Sequence, residues 1–209
     1  MADGRESGGA GAGERVAAPG GQVATPGEEV VALYDPGDER GRVTGAAPRS
    51  RVRALNLPHA ATGVLLRDGR GGVFVHRRTT TKDVNPGAHD CLAGGVVAAG
   101  EDPLDAARRE LAEELGVRAR ALRPVLRRWY RDDATHCLAH VYEAWWDGTA
   151  LALQASEVAA GWWEPAQRLR ERLADPSWPF VPDSRALLAA WPSWWLDTGP
   201  SRRLDAGTS

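Results

Sequence analysis

The stretch from Gly95 to Val117, GVVAAGEDPLDAARRELAEELGV, constrains the fold more than any other part of the chain. Its second half carries the signals of a helix, because Asp102 can cap the start, Pro103 suits the first turn and Gly116 can end it. We therefore predict a helix from about residue 103 to residue 115. An aliphatic stripe along this helix should pack inward, and it comprises Leu104, Ala107, Leu111 and Leu115.

Three carboxylates cluster on a neighbouring face of the predicted helix. Glu110, Glu113 and Glu114 are related by steps of three, four and one residues. Like charges at such spacings cost an isolated helix roughly 0.2–0.5 kcal/mol per pair. A divalent cation would offset this repulsion, and Mg²⁺ or Mn²⁺ prefers such oxygen ligands. The alternative for a cluster of this kind is a solvated helix face.

The loop before the helix supplies glycines and a further carboxylate. Gly94 and Gly95 suit a backbone that turns tightly or approaches a ligand closely. Arg109 lies four residues before Glu113 and could pair with it, or it could reach back to Glu101 in the loop. We favour the pair with Glu101, which would tie the loop to the helix.

The complete pattern is Gly-x5-Glu-x7-Arg-Glu-aliphatic-x-Glu-Glu-x-Gly-aliphatic, and every defined position is matched. It resembles the box of the Nudix family, in which this loop-helix-loop binds metal and cleaves a nucleoside diphosphate linked to another moiety. The resemblance implies that Glu110, Glu113 and Glu114 bind the metal and that Glu101 and Arg109 brace the site. It also implies an α/β fold, a Nudix α/β/α sandwich with a mixed, mostly antiparallel sheet.

Composition limits the classes of partner. The chain has 209 residues, 43% of them hydrophobic, which suits one core of ordinary size. Its net charge of −2 provides no general basic field for nucleic acid or an acidic membrane surface. Neither a signal peptide nor a bilayer span is apparent, and the two cysteines form no metal spacing. We expect a cytoplasmic enzyme with a small-molecule diphosphate substrate.

The domain organisation follows from where large apolar residues occur. Residues 1–28 are rich in Gly, Ala and Glu, and we predict a disordered tail. The Nudix domain should cover residues 29–195, followed by a loose tail at 196–209. Near its start we predict a hairpin and then an extended segment at 49–58. In that segment Arg49, Arg51 and Arg53 would point to one side, toward either a diphosphate or water.

The segment from residue 76 to residue 87 is polar and positively charged. Arg77, Arg78 and Lys82 complement a polyphosphate, although an ordinary charged loop is the alternative. The pattern Arg-Arg-x3-Lys-x3-Pro-Gly is similar to the Nudix branch that includes isopentenyl-diphosphate isomerase and its hydrolase-like relatives. The resemblance implies a catalytic cysteine at the position of Gly94 in an isomerase, and a glutamate on the strand after the box.

Both isomerase features are absent from the expected places. Glycine occupies position 94, and Cys91 is interpreted as structural. A strand is predicted at 135–146, and its stretch 135–142 has no carboxylate. We therefore predict Mg²⁺-dependent hydrolysis. The alternatives are an isomerase-like enzyme and a nucleotide-sensing module without turnover.

The C-terminal part supplies one further candidate and two helices. Glu157 is the candidate for an extra metal ligand or base, by resemblance to other Nudix enzymes. Helices are predicted from 165 to 173 and from 183 to 191, the second capped by Asp183. Nine tryptophans should be mostly core or interface, with a base-stacking wall as the alternative. The Trp-rich region makes a homodimer a further expectation.

Overall fold

A computed structural model describes residues 28–38 and 40–196 of the chain. The predicted tails at 1–28 and 196–209 lie outside the described residues, apart from residues 28 and 196 themselves. In the part that is described, no helix is long and apolar enough to cross a membrane.

The described residues form nine strands, four α-helices and one 3₁₀ turn. The strands are β1 (Val30–Tyr34), β2 (Val43–Pro48), β3 (His59–Arg67), β4 (Gly72–Arg78), β5 (His89–Asp90), β6 (Leu92–Ala93), β7 (Arg123–Arg131), β8 (His136–Trp145) and β9 (Val158–Pro165). The helices are α1 (Arg49–Ala54), α2 (Pro103–Leu115), α3 (Ala166–Leu173) and α4 (Pro182–Ala190), followed by a 3₁₀ turn at Trp194–Leu196.

The sheet is organised around strand β3. It pairs in parallel with β8, in a register that runs from His59 opposite Cys137 to Arg67 opposite Trp145. The other pairs of named strands are antiparallel, and they include β1 with β2, β4 with β9 and β7 with β8. The predicted α/β fold with a mixed, mostly antiparallel sheet is confirmed.

Helices cover both faces of the sheet because β3 is apolar on both sides, as buried strands are. Val64 and Leu66 pack in one cluster with Leu111 and Leu115 of α2. Leu65 points the other way and packs with residues of α3 and α4, among them Leu169, Leu187 and Leu188. The predicted helix of the box is therefore one outer layer of a sandwich.

The extended segment predicted at residues 49–58 is wrong, because residues 49–54 form helix α1. Alternating arginines suggested a strand, but Val52 is buried and packs with Val31, Ala47 and Val96. That tertiary contact outweighs the weak local preference. On a helix Arg49 and Arg53 lie one turn apart on the same face, whereas Arg51 does not share it.

Two details of the C-terminal half also differ from prediction. Helix α4 begins at Pro182 after Val181, which makes no side-chain capping bond, so Asp183 lies in the first turn rather than at the cap. Strand β8 continues to Trp145 and therefore contains Glu143. The prediction that this strand lacks a carboxylate is wrong.

Glu143 is fully buried in an ionic cluster rather than placed at a site. Its Oε2 accepts a hydrogen bond from Nε of Arg67 at 3.0 Å, and its Oε1 accepts from the guanidinium of Arg123. Arg67 also donates to the backbone carbonyl of Trp194. The cluster joins β3, β7, β8 and the C-terminal 3₁₀ turn, because a buried charge must be compensated by partners.

The substitution Glu143→Gln should destabilise the protein by about 3–5 kcal/mol, because it removes the carboxylate partner of a buried arginine. Urea denaturation followed by tryptophan fluorescence would measure the loss. The matched control is Glu171→Gln, since Glu171 is exposed on α3, where its carboxylate accepts a hydrogen bond from Gln167. A Glu143→Gln midpoint equal to that of the control would contradict the structural role of the cluster.

Candidate active site

Helix α2 begins and ends as predicted. Asp102 caps it by accepting the amide of Leu104 at 2.8 Å, and Pro103 occupies the first turn. Gly116 ends it in the left-handed conformation, with φ of 72°. Because Leu111 and Leu115 pack on the inner side of the helix, the three glutamates project from its other sides.

The three glutamates of α2 differ in exposure. The side chain of Glu113 is 52% exposed and that of Glu110 is 14% exposed, while Glu114 is 5% exposed as a residue. Oε2 of Glu114 accepts the backbone amide of Gly94 at 3.2 Å. A Cβ atom added to Gly95 would lie 2.5 Å from Oε1 of Glu110. The glycine loop thus lies directly against the two less exposed carboxylates.

Arg109 joins the loop to the helix through a forked contact. Its Nε and Nη2 donate to the two carboxylate oxygens of Glu101 at 2.9 and 3.0 Å. The second of these oxygens also accepts the amide of Ala98 at 3.1 Å, and the Arg109 contact lowers the pKa of Glu101. This is the contact that we favoured from the sequence. The alternative partner, Glu113, is also reached, but at 3.5 Å.

Burial disfavours the charged forms of Glu110 and Glu114. Desolvation, with the nearby charge of Glu110, raises the pKa of Glu114 to about 8. Burial likewise raises the pKa of Glu110, which also accepts from Arg109 at 2.7 Å. Within residues 28–38 and 40–196, no three His, Cys, Asp or Glu side chains converge in a ready metal-binding group. The donors are nevertheless carboxylate oxygens, which suit a hard divalent cation, and a cation would offset their desolvation.

These carboxylates line a polar depression of about 290 Å³, which we call the outer cavity. Glu157 also lines it and forms an ion pair with Lys82. Cationic and anionic side chains therefore both line its wall, an arrangement suited to a metal ion and phosphate oxygens together. The charged lining residues are Glu29, Arg49, Lys82, Arg109, Glu110, Glu113, Glu114 and Glu157.

A second space of about 150 Å³, the inner cavity, adjoins the outer one. The two share four lining residues, Arg49, Lys82, Gly94 and Gly95. Arg78 lines the inner cavity as well, and it donates to the carbonyl of Val84 at 3.0 Å. Arg77 points away from both cavities and is exposed. The structure thus brings Arg78 and Lys82 to the site, but not Arg77.

Several lining residues were not selected as site residues from the sequence, although Arg49 and Arg53 were considered as contacts to either a diphosphate or water. Arg49, Val52, Arg53 and Asn56 of α1 and the turn after it follow the spacing i, i+3, i+4 and i+7, which is the available signal for one helical face. Asp90 and Asp183 also line the inner cavity. They are distant from the box in sequence, so no local pattern connects them with it.

Position 94 has no room for a side chain. A Cβ atom there would overlap the backbone carbonyl oxygen of Thr62, so an isomerase-type cysteine could not be accommodated. Cys91 is buried in the core, where burial raises the pKa of its thiol well above the usual value. All nine tryptophans lie in the described residues, and none lines either cavity. The possible base-stacking wall is therefore absent from these two cavities.

Comparison with known proteins assigns the chain to a family. The family model described as "NUDIX domain" matches residues 57–184, which include the whole box. The chain belongs to the Nudix family. As a Nudix hydrolase it acts on diphosphate bonds.

Curated relatives support the assignment over most of the domain. An uncharacterized Nudix hydrolase of Rhodococcus erythropolis, orf19, is 48% identical over 174 residues, covering 78% of this chain and 92% of the relative. The uncharacterized Nudix hydrolase YfcD of Escherichia coli K12 is 36% identical over 154 residues, covering 74% and 83% respectively.

Solved structures show the same architecture. DR0079 from Deinococcus radiodurans aligns with a TM-score of 0.66 and 28% identity, covering 78% of this chain and 99% of that one. A MutT Nudix hydrolase from Burkholderia pseudomallei aligns with a TM-score of 0.52 and 23% identity, covering 63% of this chain and 96% of that one. The second likeness concerns the fold alone.

The substitution Gly95→Ala in this Nudix hydrolase should lower diphosphate hydrolysis by about tenfold or more, because the added methyl group displaces the carboxylate of Glu110. Stability should change little, since the far end of a side chain can move. The control is Gly45→Ala on β2, where a Cβ would meet nothing within 4 Å. Equal activity of the two variants would show that the position of Glu110 is unimportant.

Proposed function

We propose that this Nudix hydrolase is a Mg²⁺-dependent pyrophosphohydrolase that cleaves a diphosphate bond in a nucleoside diphosphate linked to another moiety. The observation that carries the proposal is that two glutamates of α2, buried Glu114 and largely buried Glu110, face the glycine loop inside a cavity that cationic side chains also line. A protein that only binds a nucleotide would not need a complete set of metal-binding carboxylates.

Glu110, Glu113 and Glu114 are the residues that would hold the metal. When bound, Mg²⁺ or Mn²⁺ supplies polarisation of the phosphate and activation of a water molecule. Glu157 is the candidate for an additional ligand or base, and it lines the same cavity. Its ion pair with Lys82 would have to open for that role, which would free the lysine for phosphate.

The remaining residues position the substrate and the loop. Arg78 and Lys82 would neutralise charge that develops on the phosphate oxygens. Glu101 and Arg109 would hold the loop so that the amide of Gly94 stays against Glu114. We predicted Arg77 as a further phosphate contact, but its exposed position does not support that role. The isomerase alternative is disfavoured by the lack of space at Gly94.

Cytoplasmic location and a homodimer remain predictions, as do the domain boundaries at residues 29 and 195. Sedimentation velocity of the purified chain would test the dimer directly.

Phosphorus NMR with Mg²⁺ tests the reaction. The panel should contain nucleoside triphosphates, sugar nucleotides, dinucleotides, coenzyme A and isopentenyl diphosphate. We expect new phosphomonoester signals that disappear when a chelator is added and return with excess Mg²⁺ or Mn²⁺. Rearrangement of isopentenyl diphosphate without phosphate release would instead establish an isomerase, and binding of a nucleotide without new signals would establish a sensing module.

The substitution Glu114→Gln should reduce turnover by about 100-fold or more, because the amide keeps the shape of the carboxylate but binds a cation poorly. Isothermal titration with Mg²⁺ or Mn²⁺ should show weakened metal binding in the same variant. Glu171→Gln, on the exposed side of α3, is the matched control and should behave as the unchanged protein. Full turnover by Glu114→Gln would remove this residue from the metal site.

A further inference from the structure

The inner cavity has a defined relation to the reaction site. It meets the outer cavity at Gly94 and Gly95, and Arg49 and Lys82 line both spaces. A diphosphate held by the outer cavity would therefore present its attached organic group to the inner cavity. The chemistry of the inner lining should select that group.

Buried polar atoms of the inner lining lack partners. Oδ1 of Asn56, Nε of Arg53 and Nε of Arg78 are buried and form no hydrogen bond with any described residue. The first is an acceptor and the other two are donors. Buried polar groups in native proteins are nearly always satisfied, so these atoms call for a polar ligand or ordered water. A ligand that satisfies them must both donate and accept hydrogen bonds.

Carboxylates of the same lining supply further acceptors. Asp90 is 5% exposed, and its Oδ1 accepts the amides of Cys91 and Leu92 at 2.7 and 3.0 Å. Asp183, in the first turn of α4, lines the same cavity beside Ser184. A group carrying hydroxyls could donate to these carboxylates and accept from the arginines. An alkyl group would instead cover charged side chains without replacing their hydrogen bonds, which is costly.

The size of the inner cavity and the apolar part of its lining also limit which groups it can bind. No Phe, Tyr or Trp lines the inner cavity within the described chain, so an aromatic base has no stacking surface of that kind there. The apolar lining is aliphatic and includes Val52, Ala139 and Leu187. The volume of about 150 Å³ lies below the roughly 300–1,000 Å³ typical of pockets for drug-sized ligands. The space suits a compact group.

We propose that the inner cavity binds the organic group next to the diphosphate, and that Asp183, Arg53 and Asn56 select a compact, hydroxylated, non-aromatic group such as a pentose or polyol. The proposal rests on the proposed function, because the outer cavity must hold the diphosphate. A nucleoside, where the substrate has one, would have its base outside the inner cavity. An isoprenoid would leave the polar atoms of the lining without hydrogen bonds, and a nucleobase would find no Phe, Tyr or Trp there to stack on.

Binding of non-hydrolysable esters tests the proposal independently of turnover. The probes are the methylenediphosphonate esters of ribose (at its 5-position), adenosine and isopentenol, measured by isothermal titration with Mg²⁺. We expect the ribose ester to bind at least about tenfold more tightly than the isopentenyl ester, and the adenosine ester to bind no more tightly than the ribose ester. An isopentenyl ester that binds as tightly as the ribose ester would overturn the proposal. So would an adenosine ester that binds about tenfold more tightly than the ribose ester.

The substitution Asp183→Asn tests whether this selectivity arises in the inner cavity. The variant should weaken binding of the ribose ester by about tenfold and change that of the isopentenyl ester by less than about twofold. Equal weakening of both esters would indicate a structural role only, and no weakening would exclude Asp183 from recognition. Glu171→Gln serves as the control, and thermal melting checks the fold. If Asp183→Asn does not fold, Arg53→Met, which keeps the aliphatic stem, should show the same selective loss.

The two hypotheses fail in different ways. Absence of Mg²⁺-dependent hydrolysis across the substrate panel, with selective binding of the ribose ester intact, would contradict the proposed reaction alone. Hydrolysis that is lost in Glu114→Gln, together with unselective binding of the three esters, would contradict the assignment of the inner cavity alone.

Discussion

The fork between Arg109 and Glu101 is the interaction on which the site depends. It joins α2 to the glycine loop, and the amide of Ala98 binds the same carboxylate. With the loop held in this way, the amide of Gly94 reaches Glu114. Because Glu114 is buried beside a second carboxylate, its orientation could not be maintained by solvent. A charge-assisted contact with two parallel hydrogen bonds supplies the needed rigidity.

The sheet also fixes the positions of the outer and inner cavities. Strand β3 packs against α2 on one face and against α3 and α4 on the other, so the two faces border different spaces. The outer cavity belongs to the side of α2, and the inner cavity to the side of α4. The glycine loop lies between them, where side chains at positions 94 and 95 would collide with Thr62 and Glu110. Small residues at this junction therefore keep the two spaces connected.

Local signals predicted the box well, and long-range contacts explain most of what was missed. Helix α2 agrees with prediction because its cap, its proline and its terminal glycine act within one turn. Helix α1 was mistaken for an extended segment, since its formation depends on packing of Val52 against strands elsewhere in the chain. The role of Glu143 in β8 was overlooked because its compensating arginines are distant in sequence. The inner cavity is built from α1, the 78–85 loop and α4, which no single pattern links.

The parallel pairing of β3 with β8 has a consequence for how the chain acquires its structure. The paired residues His59 and Cys137 are 137 − 59 = 78 positions apart, and the box lies in the connection between them. Parallel strands cannot be joined by a tight turn, and such distant contacts slow folding because loop entropy must be lost first. During synthesis the central strand therefore has no parallel neighbour until β8 has left the ribosome. The glycine loop and α2 become fixed late, as part of the whole domain rather than as an independent unit.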